Sequence, residues 1–161
     1  MNDLIQVIKV LDEKDLKVIN DHIDHLTFNP STVFSSGGKS KVEKQWRTST
    51  GTVLNDSDDV TNLFHEKINA ALVEYKERVS LISDSFKRYP VPGGYETDSH
   101  REEIQILEYS PDQEYKFHHD AATNPNIKAY HRKISVIVYL TDKFTGGHTA
   151  FPHCKYRPEP G

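Results

Sequence analysis

Polar and apolar residues near the start of the chain alternate with helical spacing. Apolar side chains recur three or four positions apart over residues 16–26, which places them on one face of a helix. Asp12, with Asp15 three positions later, has the form of a capping box. The pattern therefore predicts a helix after Asp12, a short strand before it at residues 4–10, and a stop at the Asn-Pro pair of residues 29–30.

A second and longer apolar stripe follows the polar cluster at residues 55–57. Its members fall on one helical face over five turns, and they are Val60, Phe64, Ile68, Leu72, Tyr75 and Val79. Between the two predicted helices, residues 31–45 are polar and contain a glycine pair, which indicates an exposed loop or hairpin. Two prolines and another glycine pair predict a loop at residues 89–95.

The periodicity changes after residue 103 to that of extended chain. Residues 104–109 predict a strand, 110–112 a turn, and 115–120 a second short extended segment. Residues 121–132 are polar and contain Asn-Pro-Asn, which predicts a long loop.

The last predicted strand is the most apolar part of the chain. Residues 133–140 form a nearly continuous apolar run, which is typical of a strand buried on both faces. A tight turn at Gly146-Gly147 and a further extended segment at 149–151 follow it. Helices first and strands second predict an α+β domain, in which helices back a sheet or barrel.

Composition restricts the class of protein. The chain has 161 residues, enough for one domain with a real core, and its 27% charged and 35% hydrophobic residues are ordinary for a globular protein. A net charge of −4 gives no attraction for nucleic acid or an anionic membrane. No apolar run spans a bilayer, and Asp3 interrupts a secretory leader pattern. The single Cys154 has no intramolecular disulfide partner, so a reducing, cytoplasmic location is expected.

His118 and Asp120 are the candidate metal ligands. Side chains two positions apart on a strand point to the same side, so within segment 115–120 an imidazole nitrogen and a carboxylate oxygen can face one ion. Two histidines and one carboxylate that leave positions open are the ligand set of non-haem Fe(II) oxygenases. His22 and Asp24 have the same spacing. They lie in the predicted first helix, where such residues point about 200° apart, and are therefore interpreted as solvated surface.

Five separated motifs extend this interpretation. They are Trp-Arg-Thr-Ser-Thr-Gly at 46–51, Glu-Ile-Gln-Ile-Leu-Glu-Tyr at 103–109, Tyr-Lys-Phe-His-His-Asp at 115–120, Arg-Lys-Ile-Ser and Val-Tyr-Leu within 132–140, and Gly-Gly-His-Thr-Ala-Phe-Pro at 146–152. In this order they resemble the prolyl 4-hydroxylase family of 2-oxoglutarate- and Fe(II)-dependent dioxygenases, from about residue 40 to the C-terminus. His148 departs from the family pattern, which usually has glutamate there.

The resemblance implies a fold and a set of cofactors. Residues 1–161 are expected to be a single oxygenase domain, a double-stranded β-helix (jelly-roll) barrel with the N-terminal helices packed on one sheet. The implied cofactors are Fe(II), 2-oxoglutarate as co-substrate and ascorbate. The implied partners are dioxygen and a peptide or protein substrate that contains proline, with the loop 121–132 closing over it.

The resemblance also implies roles for individual residues. His118 and Asp120 would bind Fe(II) and carry catalysis. Tyr109, Tyr139 and Thr149 would bind 2-oxoglutarate, although Tyr109 can equally be a barrel-core side chain. Tyr115 and Arg132 would grip the peptide, while a solvated loop charge is the alternative for Arg132. His119 is expected in the core or behind the ligands, and Arg47 is expected to be structural, paired with an acidic group near a helix start.

The resemblance leaves the metal site incomplete. The family's distal histidine and the basic residue that pairs with 2-oxoglutarate follow a Pro-x-x-Gly turn, which residues 158–161 resemble. The barrel is therefore expected to be truncated before its last strands, and neither His148 nor His153 is taken as the third ligand. A non-catalytic jelly-roll that binds peptides, and an oxygenase for another side chain or a small molecule, remain the alternatives.

Overall fold

The structure, a computed structural model, describes residues 4–34, 40–88, 101–126, 131–152 and 154–156. Its helices are α1 (Glu13–Ile23), α2 (Asp59–Ser80) and a 3₁₀-helix at Asp84–Arg88. Its strands are β1 (Asn29–Pro30), β2 (Val33–Phe34), β3 (Ser40–Lys41), β4 (Thr50–Val53), β5 (Gln105–Glu108), β6 (Thr149–Phe151) and β7 (Cys154–Tyr156). The loop predicted at residues 89–95 lies outside the described residues.

Helix α1 begins at the predicted capping box. The Asp12 carboxylate accepts hydrogen bonds from the amides of Lys14 at 2.8 Å and Asp15 at 2.9 Å, and the Asp15 carboxylate accepts from the Asp12 amide at 3.0 Å. These bonds satisfy amides that have no partner within the first turn of a helix. The first helix is confirmed, although it ends at Ile23, well before Asn29–Pro30, which forms β1.

One apolar core joins the two helices to the sheet. Its members are at most 9% exposed, and they are Leu11, Ile19, Leu54, Val60, Phe64, Ile68 and Ile106. Helix α2 contributes its predicted apolar face, which confirms the second helix. Ile106 on β5 and Leu54 at the end of β4 place the sheet against that face.

A three-stranded antiparallel sheet has the order β1-β4-β5, and β2-β3 and β6-β7 form separate hairpins. Strand β5 confirms the strand predicted at 104–109, and β2-β3 is the hairpin predicted within 31–45. Gly51 lies opposite Leu107, and a Cβ on Gly51 would come within 2.9 Å of the Leu107 side chain and 3.1 Å of the Ile106 carbonyl oxygen. Glycine therefore permits this close strand pairing. Helices with antiparallel strands are present, while the closed β-helix remains a prediction.

The strand predicted at residues 4–10 is wrong. This segment has no strand, and side chains of α2 hold its carbonyl groups instead: Tyr75 donates to Leu4 O at 2.9 Å and Arg78 donates to Val7 O at 3.2 Å. The segment is largely apolar, which suits a strand. Two of its carbonyl groups are met by a neighbouring helix rather than by a second strand.

The strand predicted at residues 133–140, buried on both faces, is also wrong. The segment forms no regular strand and is buried on one side only. Val138 and Leu140 pack against the core, whereas Val136 is 47% and Ile137 62% exposed. The segment therefore covers the core with one side and leaves the other side to the candidate site.

Of the pair interpreted as solvated surface, Asp24 is exposed as expected, whereas His22 is not. His22 is half-buried, with its Nε2 3.5 Å from Asp58 Oδ2 at the start of α2. The contact depends on the packing of α1 against α2, which the local spacing does not reveal.

Among the described residues, every helix falls short of the length and apolarity that crossing a bilayer requires.

A partly buried histidine on α2 gives the structure a pH dependence. Arg101 donates hydrogen bonds to His65 Nδ1 and to Asn69 Oδ1. Burial, and then the charge of Arg101, lower the pKa of His65 against a weaker opposing effect of Asp56. The hydrogen bond from Arg101 requires a neutral His65 imidazole, because a protonated Nδ1 cannot accept from the guanidinium.

We expect the free energy of unfolding to fall as the pH falls through the ordinary histidine range near 6.5. The unfolded chain binds a proton at His65 before the folded chain does, so acid favours unfolding. His65→Asn keeps an acceptor oxygen near the place of Nδ1 but does not titrate. Urea unfolding at about pH 7.5 and about pH 5.5 should show a smaller loss in this variant than in the wild type. An equal loss in both proteins would refute the assignment.

Candidate active site

The segment that carries the candidate ligands is attached to the chain ahead of β4. Arg47 and Tyr115 form an isolated antiparallel bridge, and the Lys116 amide donates to the Trp46 carbonyl at 2.9 Å. Beyond this bridge, residues 117–120 have no regular strand. The predicted extended segment at 115–120 therefore has strand pairing at its first residue, which is enough to fix where the rest begins.

His118 and Asp120 lie together, although residues 117–120 do not form the strand from which their common orientation was predicted. His118 Nε2 lies 3.2 Å from Asp120 Oδ1. The other imidazole nitrogen, Nδ1, lies 2.7 Å from the Lys116 carbonyl oxygen. Because a carbonyl only accepts, Nδ1 carries the hydrogen, and the neutral imidazole has its lone pair on Nε2. The nitrogen that faces Asp120 is thus the one free to bind a metal.

The second oxygen of the Asp120 carboxylate is held from the opposite side. Ser135 Oγ donates a hydrogen bond to Asp120 Oδ2. Arg132 Nη1 donates to the backbone carbonyl of the same residue at 3.0 Å. Both partners come from the segment that begins after the long loop. Asp120 is therefore oriented through its side chain and its backbone, and its Oδ1 is left facing His118.

This donor pair fits two ligands of one ion. Two ligands about 2.1 Å from a metal and at right angles lie about 3.0 Å apart, close to the 3.2 Å observed. The side chains are 36% and 49% exposed, so further positions around an ion would be open to solvent or substrate. Within the described ranges, no group of three or more histidine, cysteine, aspartate or glutamate side chains could hold a metal.

An aromatic stack backs His118. The Tyr115 ring is stacked on the His118 imidazole, with centroids 3.6 Å apart and planes at 16°, and the Arg47 guanidinium lies 4.6 Å from the Tyr115 centroid. Burial raises the pKa of the Tyr115 hydroxyl, and the nearby Arg47 charge only partly opposes this. Tyr115 is therefore a neutral side chain packed against the candidate ligand.

Arg47 is structural, as predicted, but its partner is not the expected acidic group. The side chain is 8% exposed and donates to Ser49 Oγ at 3.0 Å and to Thr32 O at 3.3 Å. No carboxylate is among its contacts within the described residues. Its charge is instead stabilised by neutral oxygen atoms and the Tyr115 ring, which local sequence could not indicate.

Arg132 is not a solvated loop charge. It donates to both carboxylate oxygens of Glu102, at 2.8 and 2.6 Å, as well as to Asp120 O. The hydrogen bond that Arg132 donates to Glu102 raises the pKa of the guanidinium. A two-point guanidinium–carboxylate contact has a fixed geometry. Arg132 thus ties the end of the long loop to the segment ahead of β5 and to the candidate ligand.

The predicted co-substrate residues form a pair of hydroxyl groups. Tyr139 Oη lies 2.8 Å from Thr149 Oγ1 and donates to the Gly147 carbonyl at 3.0 Å. Gly146 and Gly147 have φ of 78° and 62°, which glycine adopts at little cost, so the predicted turn is confirmed. Segment 132–140 carries Ser135 and Tyr139, and so connects this pair to Asp120 along the chain.

Two predicted side chains remain at the edge of the site. Tyr109 directly follows β5 and is 44% exposed, which excludes the alternative of a fully buried core tyrosine. His119 is exposed, so the expectation that it lies in the core is wrong.

Sequence reasoning missed Ser135 and Glu102. Ser135 is the polar residue that interrupts the apolar run 134–138. That signal could have marked it. Glu102 gave no such signal, because its contact with Arg132 joins residues 30 positions apart.

Comparisons with known proteins find similarity to prolyl 4-hydroxylases, the family that the five sequence motifs resemble. The chain is 32% identical to a prolyl 4-hydroxylase-type protein of Acanthamoeba polyphaga mimivirus, over 37% of this chain and 28% of the relative. It is 45% identical to prolyl 4-hydroxylase 1 of Arabidopsis thaliana, over 30% of this chain and 18% of that protein. No family model and no solved structure matches the chain.

These matches are partial, and they support a class of enzyme at most. The matched parts span well under half of either relative's length. The partial similarities support a prolyl hydroxylase-like family and an oxidoreductase of the hydroxylase kind.

Proposed function

We propose that the chain carries the Fe(II)- and 2-oxoglutarate-dependent site of a prolyl hydroxylase-like enzyme. The observation that carries this proposal is the contact of His118 Nε2 with Asp120 Oδ1 at 3.2 Å. The other polar atom of each side chain is hydrogen-bonded elsewhere: His118 Nδ1 to the Lys116 carbonyl and Asp120 Oδ2 to the Ser135 hydroxyl. Metal ligands are typically oriented by such additional hydrogen bonds. The partial similarity to prolyl 4-hydroxylases supports the same assignment.

In this proposal the residues of the chain hold and orient the reactants. Bound iron, with 2-oxoglutarate and dioxygen, supplies the oxidising chemistry that replaces a C–H hydrogen by hydroxyl while 2-oxoglutarate becomes succinate and CO₂. His118 and Asp120 hold the iron, and ascorbate serves as an accessory reductant. Tyr139 and Thr149 would bind a carboxylate of 2-oxoglutarate if the Tyr139 hydroxyl turned its proton from the Gly147 carbonyl to that carboxylate, while Thr149 donates to Tyr139.

The proposed substrate is a prolyl residue in a peptide or protein. Tyr115 stacks on His118 and would place an aromatic wall beside the reacting carbon. Phe117 is 66% exposed on the same segment and offers a further apolar surface for a proline ring. Arg132 would help to bind the peptide with donors that its contacts to Glu102 and Asp120 leave free.

A second candidate is a module that binds peptides without turnover. It is favoured by the finding that the described residues contain no three-ligand group for a metal. This candidate would retain the aromatic surface at Tyr115 and Phe117 while the pair at His118 and Asp120 had a structural role.

Turnover of 2-oxoglutarate separates the two candidates. The full chain is loaded anaerobically with Fe(II), mixed with oxygenated buffer and 2-oxoglutarate, and assayed for succinate with and without a proline-rich peptide. We expect succinate formation that the peptide stimulates, because substrate binding excludes water and completes the site. A peptide of equal length with alanine in place of proline is the control. Peptide binding without iron binding or succinate would overturn the proposal in favour of the binding module.

A further inference from the structure

Ser135 contacts the candidate metal site, but sequence reasoning assigned this residue no role. Its hydroxyl donates to Asp120 Oδ2, whereas the other carboxylate oxygen faces His118. We propose that Ser135 is a positioning residue: by holding Asp120 Oδ2, it leaves Oδ1 to bind the metal and fixes the orientation of the carboxylate. This inference rests on the proposed function.

The Asp120 side chain needs such a restraint because neither burial nor strand pairing fixes its orientation. It is 49% exposed, and residues 117–120 have no strand pairing. A carboxylate on an exposed, irregular segment rotates freely and presents either oxygen, or both, to an ion. A single hydrogen bond to Oδ2 removes that freedom and keeps Oδ1 toward His118. Arg132, at the Asp120 carbonyl, fixes the backbone but leaves the side chain free to rotate.

Ser135 is itself well placed to act as a fixed donor. It lies in the segment whose later residues, Val138 and Leu140, pack against the core. Tyr139 in the same segment bonds to Gly147 and Thr149. The segment is therefore anchored by apolar packing and by hydrogen bonds a few residues after Ser135, whose own side chain is exposed. A donor on an anchored segment is more effective than a donor on a mobile loop.

The chemistry of serine also suits the task. A hydroxyl donates one hydrogen bond without adding charge. A lysine or arginine in this place would compete with the metal for the negative charge of Asp120. A neutral donor orients the carboxylate and leaves its charge available to the cation, as is common for groups that support metal ligands.

The test compares three variants that separate the hydroxyl from the shape of the side chain. Ser135→Ala removes the donor, Ser135→Thr retains it, and Ser135→Val has the size of threonine without the hydroxyl. Affinity is measured anaerobically by calorimetric titration with Fe(II), and the ligand geometry is followed from the visible spectrum with Co(II). Ser110→Ala, at an exposed serine in the turn after β5, is the control.

We expect Ser135→Ala and Ser135→Val to bind Fe(II) about 10- to 100-fold more weakly than the wild type. Ser135→Thr and Ser110→Ala should remain within about threefold of it. The Co(II) spectrum should change in the alanine and valine variants alone, while thermal unfolding of the metal-free proteins should be similar for threonine and valine. Equal affinities and spectra for threonine and valine would overturn the role of Ser135. Failure of the wild type to bind either metal would instead overturn the proposed function.

Discussion

Replacement of Asp120 by alanine is expected to lower Fe(II) affinity by more than about 100-fold, beyond the effect of losing a supporting group. Turnover of 2-oxoglutarate should fall to background, since the metal would keep one of two proposed protein ligands. His118→Ala should have an effect of the same size. Both side chains are more than a third exposed, so the fold should survive. Anaerobic calorimetry with Fe(II) and a succinate assay measure the two effects.

His119→Ala is the matched control for these variants. His119 is exposed and lies between the two proposed ligands in sequence. It should retain wild-type affinity and turnover, because the proposed site uses neither of its nitrogens. If loss of His119 removed iron binding while loss of His118 did not, the wrong histidine has been assigned.

Phe64→Ala is expected to lower the free energy of unfolding by about 3–5 kcal/mol. Phe64 is 2% exposed at the centre of the core formed by the two helices and β5. The truncated side chain would leave a cavity that neighbours on both helices cannot fill without moving. Urea denaturation monitored by circular dichroism gives the difference.

Val73→Ala on the same helix serves as the comparison. Val73 is 44% exposed, so its truncation should change the free energy of unfolding by no more than about 0.5 kcal/mol. Similar values for Phe64→Ala and Val73→Ala would mean that the core does not lie where the structure has it.

Local signals predicted the elements that depend on local chemistry. The carboxylates of Asp12 and Asp15 meet amides of the same turn, so the start of α1 could be predicted from a few residues. The apolar stripe of α2 and the strand β5 are long enough to reveal their periods, and two glycines with positive φ produced the predicted turn at 146–147.

Predictions that needed a distant partner were less successful. Residues 4–10 have an apolar pattern suited to a strand, yet Tyr75 and Arg78 satisfy their backbone. Residues 133–140 have apolar side chains on both sides, but among the described residues the core packs against Val138 and Leu140 only, and Val136 and Ile137 are exposed. Sequence periodicity measures the preference of a segment and does not show which neighbour is present.

The same division applies to the candidate site. The structure places His118 beside Asp120 and Tyr139 beside Thr149, pairs that the family resemblance assigned to one site, while their roles stay predictions. The groups that orient them are Ser135, Arg132 and the Lys116 carbonyl. The contact between Ser135 and Asp120 crosses the loop 121–132, and such contacts follow from the fold rather than from local pattern.

The most direct test of the central claim identifies which histidine binds the metal. The chain has nine histidines, and bound Fe(II) broadens the NMR signals of the imidazole that it contacts. During anaerobic titration, we expect the signals of His118 to broaden first, ahead of those of His119 and His148, and this selectivity to disappear in Asp120→Ala. Broadening centred on another histidine, or unchanged broadening of His118 in Asp120→Ala, would contradict the assignment of His118 and Asp120 as iron ligands.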